Sequence, residues 1–112
     1  MTTPRLRSEI VARALLRQSG QDGRSAMMIR RGDADAGGIL VVLLGREGTS
    51  VVLRQTRTAE GEAAWMKNSG DTPLTPEEAQ AYIERQIHYD PDLWVLEVEA
   101  PDFRPPFEAM LV

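Results

Sequence analysis

Two apolar runs on either side of a polar, glycine-rich tract dominate the hydrophobic pattern of this chain. Residues 26–29 and 39–44 are entirely apolar, and the second run contains several β-branched residues. Runs of this length that are bounded by Gly and Asp are typical of buried strands. The tract at 30–38 contains two arginines, two aspartates and three glycines. It is therefore predicted to connect two neighbouring strands and to be a place where a function could sit.

The segment from Leu6 to Ser19 has the period of an amphipathic helix. Its apolar residues recur every three or four positions, which predicts one broad buried face. That face consists of Leu6, Ile10, Val11, Ala14 and Leu15. Gly20 follows the segment directly and is well placed to end the helix.

A second helix has clear signals at both ends. Thr75 is a suitable N-cap, Pro76 suits the first helical position, and Glu78 completes a capping box. At the other end, Pro91 disfavours helical backbone at the residue before it. The helix is therefore predicted to run from Pro76 to about His88. Its apolar stripe consists of Ala79, Tyr82, Ile83 and Ile87.

Three further strands are predicted, at residues 50–56, 64–67 and 93–99. The first of them is apolar in its first half and polar in its second half, so it is expected to leave the core as it runs. The last alternates in such a way that only one of its faces is buried throughout. The element order is then α-β-β-β-(β)-α-β.

These elements predict an α+β fold. Short connections favour an antiparallel sheet of four to five strands in a meander, with both helices packed on one face. The other face would then be free to close a homodimer. Residues 1–112 are expected to form a single domain, in which 101–112 are a Pro-rich, apolar C-terminal tail. We expect this tail to dock on the domain itself or on a partner.

The absence of cysteine limits the chemistry that the chain can carry out. Disulfides, thiolate zinc sites, iron–sulfur clusters and cysteine nucleophiles are all excluded, and no cofactor is indicated. The N-terminus lacks the apolar region of a signal peptide, and the longest apolar run, residues 39–44, is too short to span a bilayer. We therefore expect a cytoplasmic protein that does not contact a membrane.

The charges are distributed unevenly along the chain. Residues 1–57 contain ten arginines and five acidic residues, whereas residues 58–112 contain three basic and twelve acidic residues. Such asymmetry can mark a basic surface for a polyanion. The alternative is that the two halves fold together and their charges pair, which the net charge of -4 favours. Nucleic-acid binding through the basic N-terminal half is disfavoured but stays open.

Asp33 and Asp35 are the first candidates for a functional site. Two carboxylates separated by one residue can share a hard cation such as Mg²⁺ or Ca²⁺. An EF-hand is excluded, because the twelfth position counted from Asp33 is Leu44 and not the required Glu. The structural alternative, which we favour, is a turn in which the aspartates accept backbone N–H groups and the three glycines of the tract adopt a positive φ.

Arg30 and Arg31 precede these aspartates and could neutralise them. Guanidinium groups beside a glycine-rich backbone also suit phosphate, although neither a P-loop nor a dinucleotide fingerprint occurs. Arg30, Arg31, Asp33 and Asp35 together form a candidate ligand or metal loop. A metal-dependent enzyme would hold its cation with Asp33 and Asp35 and bind phosphate with an arginine.

His88, Asp90 and Asp92 form a second candidate polar site. His88 is the only histidine, so any histidine general base must be this residue. A nearby carboxylate could orient its ring. The simpler interpretation, which we favour, is that His88 interacts with the dipole of the last helical turn while the two aspartates shape the turn that follows.

Several strings give the chain a family resemblance. They are Ser-Glu-Ile at 8–10, Ala-Leu-Leu-Arg at 14–17, Arg-Arg-Gly-Asp-Ala-Asp-Ala-Gly at 30–37, and Asp-Pro-Asp-Leu-Trp-Val at 90–95. With them the chain resembles an uncharacterised alphaproteobacterial family, domain of unknown function fourteen-ninety-one. The resemblance covers nearly the whole chain, up to about Glu99. It implies a small bacterial cytoplasmic protein and supplies no activity, cofactor or catalytic residue.

Two classes of function remain. A non-enzymatic interaction or ligand-binding protein, acting on an unidentified partner, a second copy or a small ligand, is favoured because no set of acid, base and nucleophile stands out. The alternative is a metal-dependent phosphoryl-transfer or phosphodiesterase enzyme that uses the Asp33 and Asp35 loop. No residue is assigned as catalytic, and whether the two aspartate turns meet in space is not fixed by the sequence.

Overall fold

The structure, a computed structural model, describes residues 6–112. The elements are α1 (Ser8–Ser19), β1 (Ala26–Arg30), β2 (Ile39–Leu44), β3 (Ser50–Arg57), β4 (Ala63–Lys67), α2 (Pro76–Tyr89) and β5 (Trp94–Glu99). A short 3-10 turn, Gln21–Gly23, lies between α1 and β1. The predicted order of elements is confirmed, including the short fourth strand.

The five strands form one mixed sheet in the order β1-β5-β2-β3-β4. β2 and β5 are parallel, with Val41 beside Leu96, and the other neighbouring strands are antiparallel. The α+β class is therefore confirmed, but the purely antiparallel meander is wrong because β5 lies between β1 and β2. Strands that are apolar at consecutive positions are stable where both faces are covered, which places β2 and β5 at the centre of the sheet.

The two helices cover opposite faces of this sheet, contrary to the prediction that both pack on one face. Ile39, Val41 and Leu43 of β2 belong to the core cluster that contains α1 residues. The alternate residues Leu40 and Val42 belong to a smaller cluster that packs against α2. Because β2 is apolar on both faces, each face needs its own cover. The face that was expected to close a homodimer therefore carries a helix.

The buried stripe of α1 differs from the predicted one. Ala12, Leu15 and Ser19 are buried, whereas Leu6 and Ile10 are exposed. The true stripe includes small residues, which a search for large apolar side chains does not weigh. A small side chain at Ala12 allows the helix to lie close to β1 and β5, which are the strands it contacts.

Helix α2 begins as predicted. The Thr75 hydroxyl accepts a hydrogen bond from the Glu78 backbone N–H at 3.2 Å, and the Glu78 carboxylate accepts one from the Thr75 backbone N–H at 2.9 Å. Tyr82 packs on the sheet, and its hydroxyl accepts a hydrogen bond from Asn68. Burial raises the pKa of Tyr82, and the Asn68 hydrogen bond opposes this shift. Within residues 6–112, no helix is long and apolar enough to cross a membrane.

The two edges of the sheet are finished in different ways. At the β4 edge, the backbone N–H of Trp65 donates to the carbonyl of Met110 at 2.8 Å, and the carbonyl of Trp65 accepts the backbone N–H of Val112 at 2.9 Å. The ring of Phe107 packs on the indole of Trp65, with 5.4 Å between the ring centres. The C-terminal tail thus docks on its own sheet. The β1 edge is interrupted by a bulge between Met28 and Arg30. A bulge disfavours pairing with another chain, so neither edge offers a long regular strand.

Candidate functional site

The loop between β1 and β2 meets the turn that precedes β5. The backbone N–H of Asp33 donates to the carbonyl of Asp92 at 3.0 Å, and the backbone N–H of Trp94 donates to Gly38 at 2.9 Å. The indole N–H of the buried Trp94 donates to the carbonyl of Asp33 at 2.7 Å. The two aspartate turns are therefore adjacent. We call the loop 31–38 and the turn 90–93 together the junction.

Two glycines allow the two halves of the junction to touch. A Cβ atom added at either Gly32 or Gly37 would lie 2.2 Å from the carbonyl oxygen of Asp92. Neither of these glycines, nor Gly38, has a positive φ. The prediction of left-handed glycines here is wrong, and the physical reason for glycine is the close approach of a carbonyl oxygen to the Cα atoms.

Asp33 has the turn role that the structural alternative predicted. Its Oδ2 atom accepts hydrogen bonds from the backbone N–H groups of Asp35 at 3.1 Å and Ala36 at 2.9 Å. The Asp35 carboxylate instead forms an ion pair with Arg7, whose Nε lies 2.7 Å from Oδ1. The two carboxylates are thus held by separate partners, and Asp33 in particular fixes the shape of the loop.

The two arginines of the tract do not pair with its aspartates. Arg30 donates to the carbonyl of Leu93 at 2.8 Å. Arg31 forms an ion pair with Glu9 at 3.0 Å, and its guanidinium lies 5.8 Å from the ring centre of Trp94. Both arginines therefore tie the end of β1 to neighbouring elements, and the partner of Asp35 comes from the chain just before α1.

The structure places the second candidate site at the end of α2. His88 is exposed, and its ring packs edge-on against Tyr89. Asp90 accepts a hydrogen bond from the Asp92 backbone N–H at 3.2 Å and forms an ion pair with Arg54 at 3.3 Å. No hydrogen bond or ion pair of the described chain joins His88 to either aspartate. Nor does any group of three carboxylate or imidazole side chains within residues 6–112 cluster closely enough to hold a metal ion.

A cavity of about 390 Å³ opens beside the junction, on the face of the sheet that α1 covers. Its walls come from the start of α1, the end of the junction loop, the end of β3 and the start of β4. The lining residues are Leu6, Ser8, Asp35, Ala36, Gly37, Gly38, Gln55, Thr56, Arg57 and Ala63. Only Asp35 among the predicted site residues lines this cavity.

The junction already satisfies the start of α1, so the helix terminus itself offers little to a ligand. The backbone N–H groups of Ser8 and Glu9 donate to the carbonyls of Asp35 and Ala34 at 3.3 and 3.0 Å. The Ser8 hydroxyl donates to the carbonyl of Gly37 at 2.6 Å. The polar groups available to a ligand must therefore come mainly from β3.

Sequence reasoning missed these β3 residues. Arg57 uses one guanidinium nitrogen to donate to the carbonyl of Gly61 at 2.6 Å, and its remaining N–H groups can serve a ligand. In residues 6–112 the side chains of Gln55 and Thr56 have no hydrogen-bond partner. The change from apolar to polar residues along β3 was the available signal, but it does not say what the polar half faces.

Comparisons with known proteins identify relatives of the same size. The sequence matches the family described as Protein of unknown function (DUF1491) over residues 6–108. A crystal structure of a DUF1491 family protein from Caulobacter crescentus is 33% identical, has a TM-score of 0.82, and aligns over 96% of this chain and 100% of that one. An NMR structure of a DUF1491 family protein from the same organism is 33% identical with a TM-score of 0.81, over 98% and 99%.

A third similar structure comes from A. tumefaciens. This protein, solved in solution, is 25% identical to the chain, has a TM-score of 0.77, and aligns over 95% of both chains. No curated protein matches the sequence. The relatives thus share the whole fold and carry no stated activity.

Proposed function

The chain belongs to the DUF1491 family, whose function is unknown, and we propose that it is a small non-enzymatic protein that binds a ligand in the cavity beside the junction. The family resemblance of its sequence strings is thereby confirmed. The observation that carries the proposal is the cavity itself, because about 390 Å³ lies within the range of small-molecule sites. The cavity combines an apolar wall with a few polar groups that would orient a ligand.

The ligand that fits this cavity best is a small organic anion. Arg57 supplies a guanidinium and Gln55 adds an amide group, and both lie on the α1 face of the sheet because they alternate with Arg54 and Thr56 along β3. The charge of Asp35 is balanced by Arg7 at 2.7 Å, whereas Arg57 forms no ion pair with any residue in 6–112. Leu6 and Ala63 contribute an apolar wall. A carboxylate attached to a short aliphatic chain would use both kinds of surface.

Binding is favoured over the metal-dependent enzyme by the contacts of the two aspartates. A shared cation needs both carboxylates as ligands. Asp33 accepts two backbone hydrogen bonds, and Asp35 is paired with Arg7. His88, the only histidine, is not among the residues that line the cavity. No acid, base and nucleophile converge there, so binding without catalysis is the function we infer.

The proposal is tested by titrating ¹⁵N-labelled protein with hexanoate while recording amide chemical shifts. We expect shifts concentrated at residues 36–38 and 55–57, and their loss in the Arg57→Gln variant. Arg46→Gln is the matched control, because Arg46 is exposed at the opposite end of the sheet. Shifts that persist in Arg57→Gln would contradict the assignment. An absence of shifts with hexanoate, succinate and phosphate alike would contradict the proposed function.

Partners and location remain predictions. We propose that the protein acts in the cytoplasm, which its cysteine-free sequence suits. We also propose that the protein forms a homodimer. Because both faces of the sheet carry cover from α1, α2 or the tail, a homodimer would have to use another surface, such as the outer side of a helix.

A further inference from the structure

Helix α1 has a second stripe of residues on the side that faces away from the sheet. Leu6, just before the helix, is 68% exposed, and Ile10 is 50% exposed. Arg13 and Arg17 follow Ile10 at intervals of three and four residues, so these three side chains lie along one line of the helix. Leu6 precedes the extended N-cap residue Arg7 and lies outside the helix. The buried stripe of the helix lies on the other side, so this line faces solvent. The line is apolar at its start and basic at its end.

The basic end of the stripe is not neutralised by its neighbours. Glu9 is the partner of Arg13 at 3.5 Å and also of Arg31 at 3.0 Å, so one carboxylate serves two guanidinium groups. Arg17 forms no ion pair with a residue in 6–112. The surface is therefore positive on a protein whose net charge is -4. Such a local field attracts an acidic partner.

We propose that this stripe docks an acidic segment of a partner protein, with apolar side chains on Leu6 and Ile10 and carboxylates toward Arg13 and Arg17. A protein segment fits better than a nucleic acid, which is held mainly by many phosphate contacts. It also fits better than a membrane, because an interfacial helix inserts its main apolar face. The main apolar face of α1, with Ala12 and Leu15, is buried on the sheet.

The proposal is independent of the cavity ligand. Leu6 borders both surfaces, but Arg57 faces the cavity and Arg17 belongs only to the stripe. A variant at Arg17 should leave hexanoate binding unchanged, and a variant at Arg57 should leave docking unchanged. Failure of one proposal is thus distinguishable from failure of the other.

The test is a selection of random dodecapeptides on the immobilised protein, followed by fluorescence anisotropy of the enriched peptides. We expect enrichment of peptides that combine Asp or Glu with Leu, Ile or Phe. Replacing both Arg13 and Arg17 by Glu should weaken their binding about tenfold or more, and raised salt should weaken it as well. The Ile10→Ser variant should weaken it severalfold through the lost apolar contact.

Controls decide between the stripe and a general charge effect. Arg46→Glu reverses another exposed charge, at the other end of the sheet, and should leave binding unchanged. All of these positions are exposed, so the melting temperature should stay near that of the parent. No enrichment, enrichment without acidic residues, or binding unaffected by the Arg13 and Arg17 reversals would overturn the proposal. Tighter binding of duplex DNA or anionic vesicles through the same arginines would also overturn it.

Discussion

The junction and the cavity wall share one loop, yet their residues are held differently. In the junction, Gly32 and Asp92 are in close backbone contact, and the Asp33 carboxylate and backbone N–H are used in hydrogen bonds within the chain. In the cavity wall, Gln55 and Arg57 keep donors free for a ligand. The glycine-rich tract at 30–38, which dominates the sequence pattern, therefore stabilises the fold. The proposed binding depends instead on Gln55 and Arg57 of β3, which no sequence motif marks.

The largest effect is expected where the two halves of the junction touch. In the Gly37→Ala variant the new methyl group would lie 2.2 Å from the Asp92 carbonyl oxygen, so the backbone must move. We expect a loss of roughly 2–4 kcal/mol in the free energy of unfolding, measured by urea denaturation. Gly38→Ala is the matched control, because its nearest contact is the end of the Leu93 side chain at 3.2 Å. Equal losses at both positions would show that the close approach is not decisive.

A somewhat smaller loss is expected for Trp94→Phe. The change keeps an aromatic ring in a fully buried position but removes the indole N–H that donates to Asp33 at 2.7 Å. The Asp33 carbonyl keeps the backbone N–H of Gly37 at 3.3 Å, so the lost hydrogen bond itself costs about 1 kcal/mol. The space left by the smaller ring adds to this cost, and we expect a total loss of about 1–3 kcal/mol in unfolding free energy. A melting temperature equal to that of the parent would show that the hydrogen bond does not tie the loop to β5.

Variants of Asp33 distinguish a structural role of its carboxylate from a metal-binding role. Asp33→Ala removes the acceptor of two backbone N–H groups and should cost about 1 kcal/mol in unfolding free energy, with less lost in Asp33→Asn. These losses should be the same with and without Mg²⁺. If Mg²⁺ stabilised the parent and not Asp33→Asn, the loop would be a metal site and its role would not be purely structural.

A smaller change in unfolding free energy is expected at Glu78, which lies outside both the junction and the cavity wall. It is an exposed carboxylate that accepts a backbone N–H, as Asp33 does, and its hydrogen bonds with Thr75 lower the pKa of Glu78. A lowered pKa in the folded state means that the stabilisation is present above the unfolded-state pKa and is lost as pH falls through the folded one. The difference in unfolding free energy between the parent and Glu78→Gln should therefore shrink on acidification below about pH 4. A constant difference would contradict the capping box.

The sequence predicted the elements that depend on local signals. The bounds of β2, from Ile39 to Leu44, follow from its apolar run, and the start of α2 follows from the Thr75 and Glu78 capping box. The insertion of β5 beside β2 was not predicted, because strand pairing depends on contacts between distant residues. The prediction that both helices pack on one face is wrong for the same reason, since helix packing also depends on contacts between distant residues.

The candidate site shows the same limit. The loop around Asp33 and its turn chemistry were predicted from residue types, since an Asp accepting nearby N–H groups is a local interaction. The need for glycine at positions 32 and 37 could not be predicted in this way, because the carbonyl group that approaches both glycines belongs to Asp92, far along the chain. The cavity likewise combines α1, the junction and β3, and no local pattern contains that combination.

We infer that the junction stabilises the fold and that the end of β3 binds the ligand. The most direct measurement is one hexanoate titration, followed by amide shifts, on Asp33→Asn and Arg57→Gln side by side. We expect Asp33→Asn to bind hexanoate as the parent does and Arg57→Gln to lose binding, with both proteins folded. Loss of binding by Asp33→Asn together with retained binding by Arg57→Gln would contradict it.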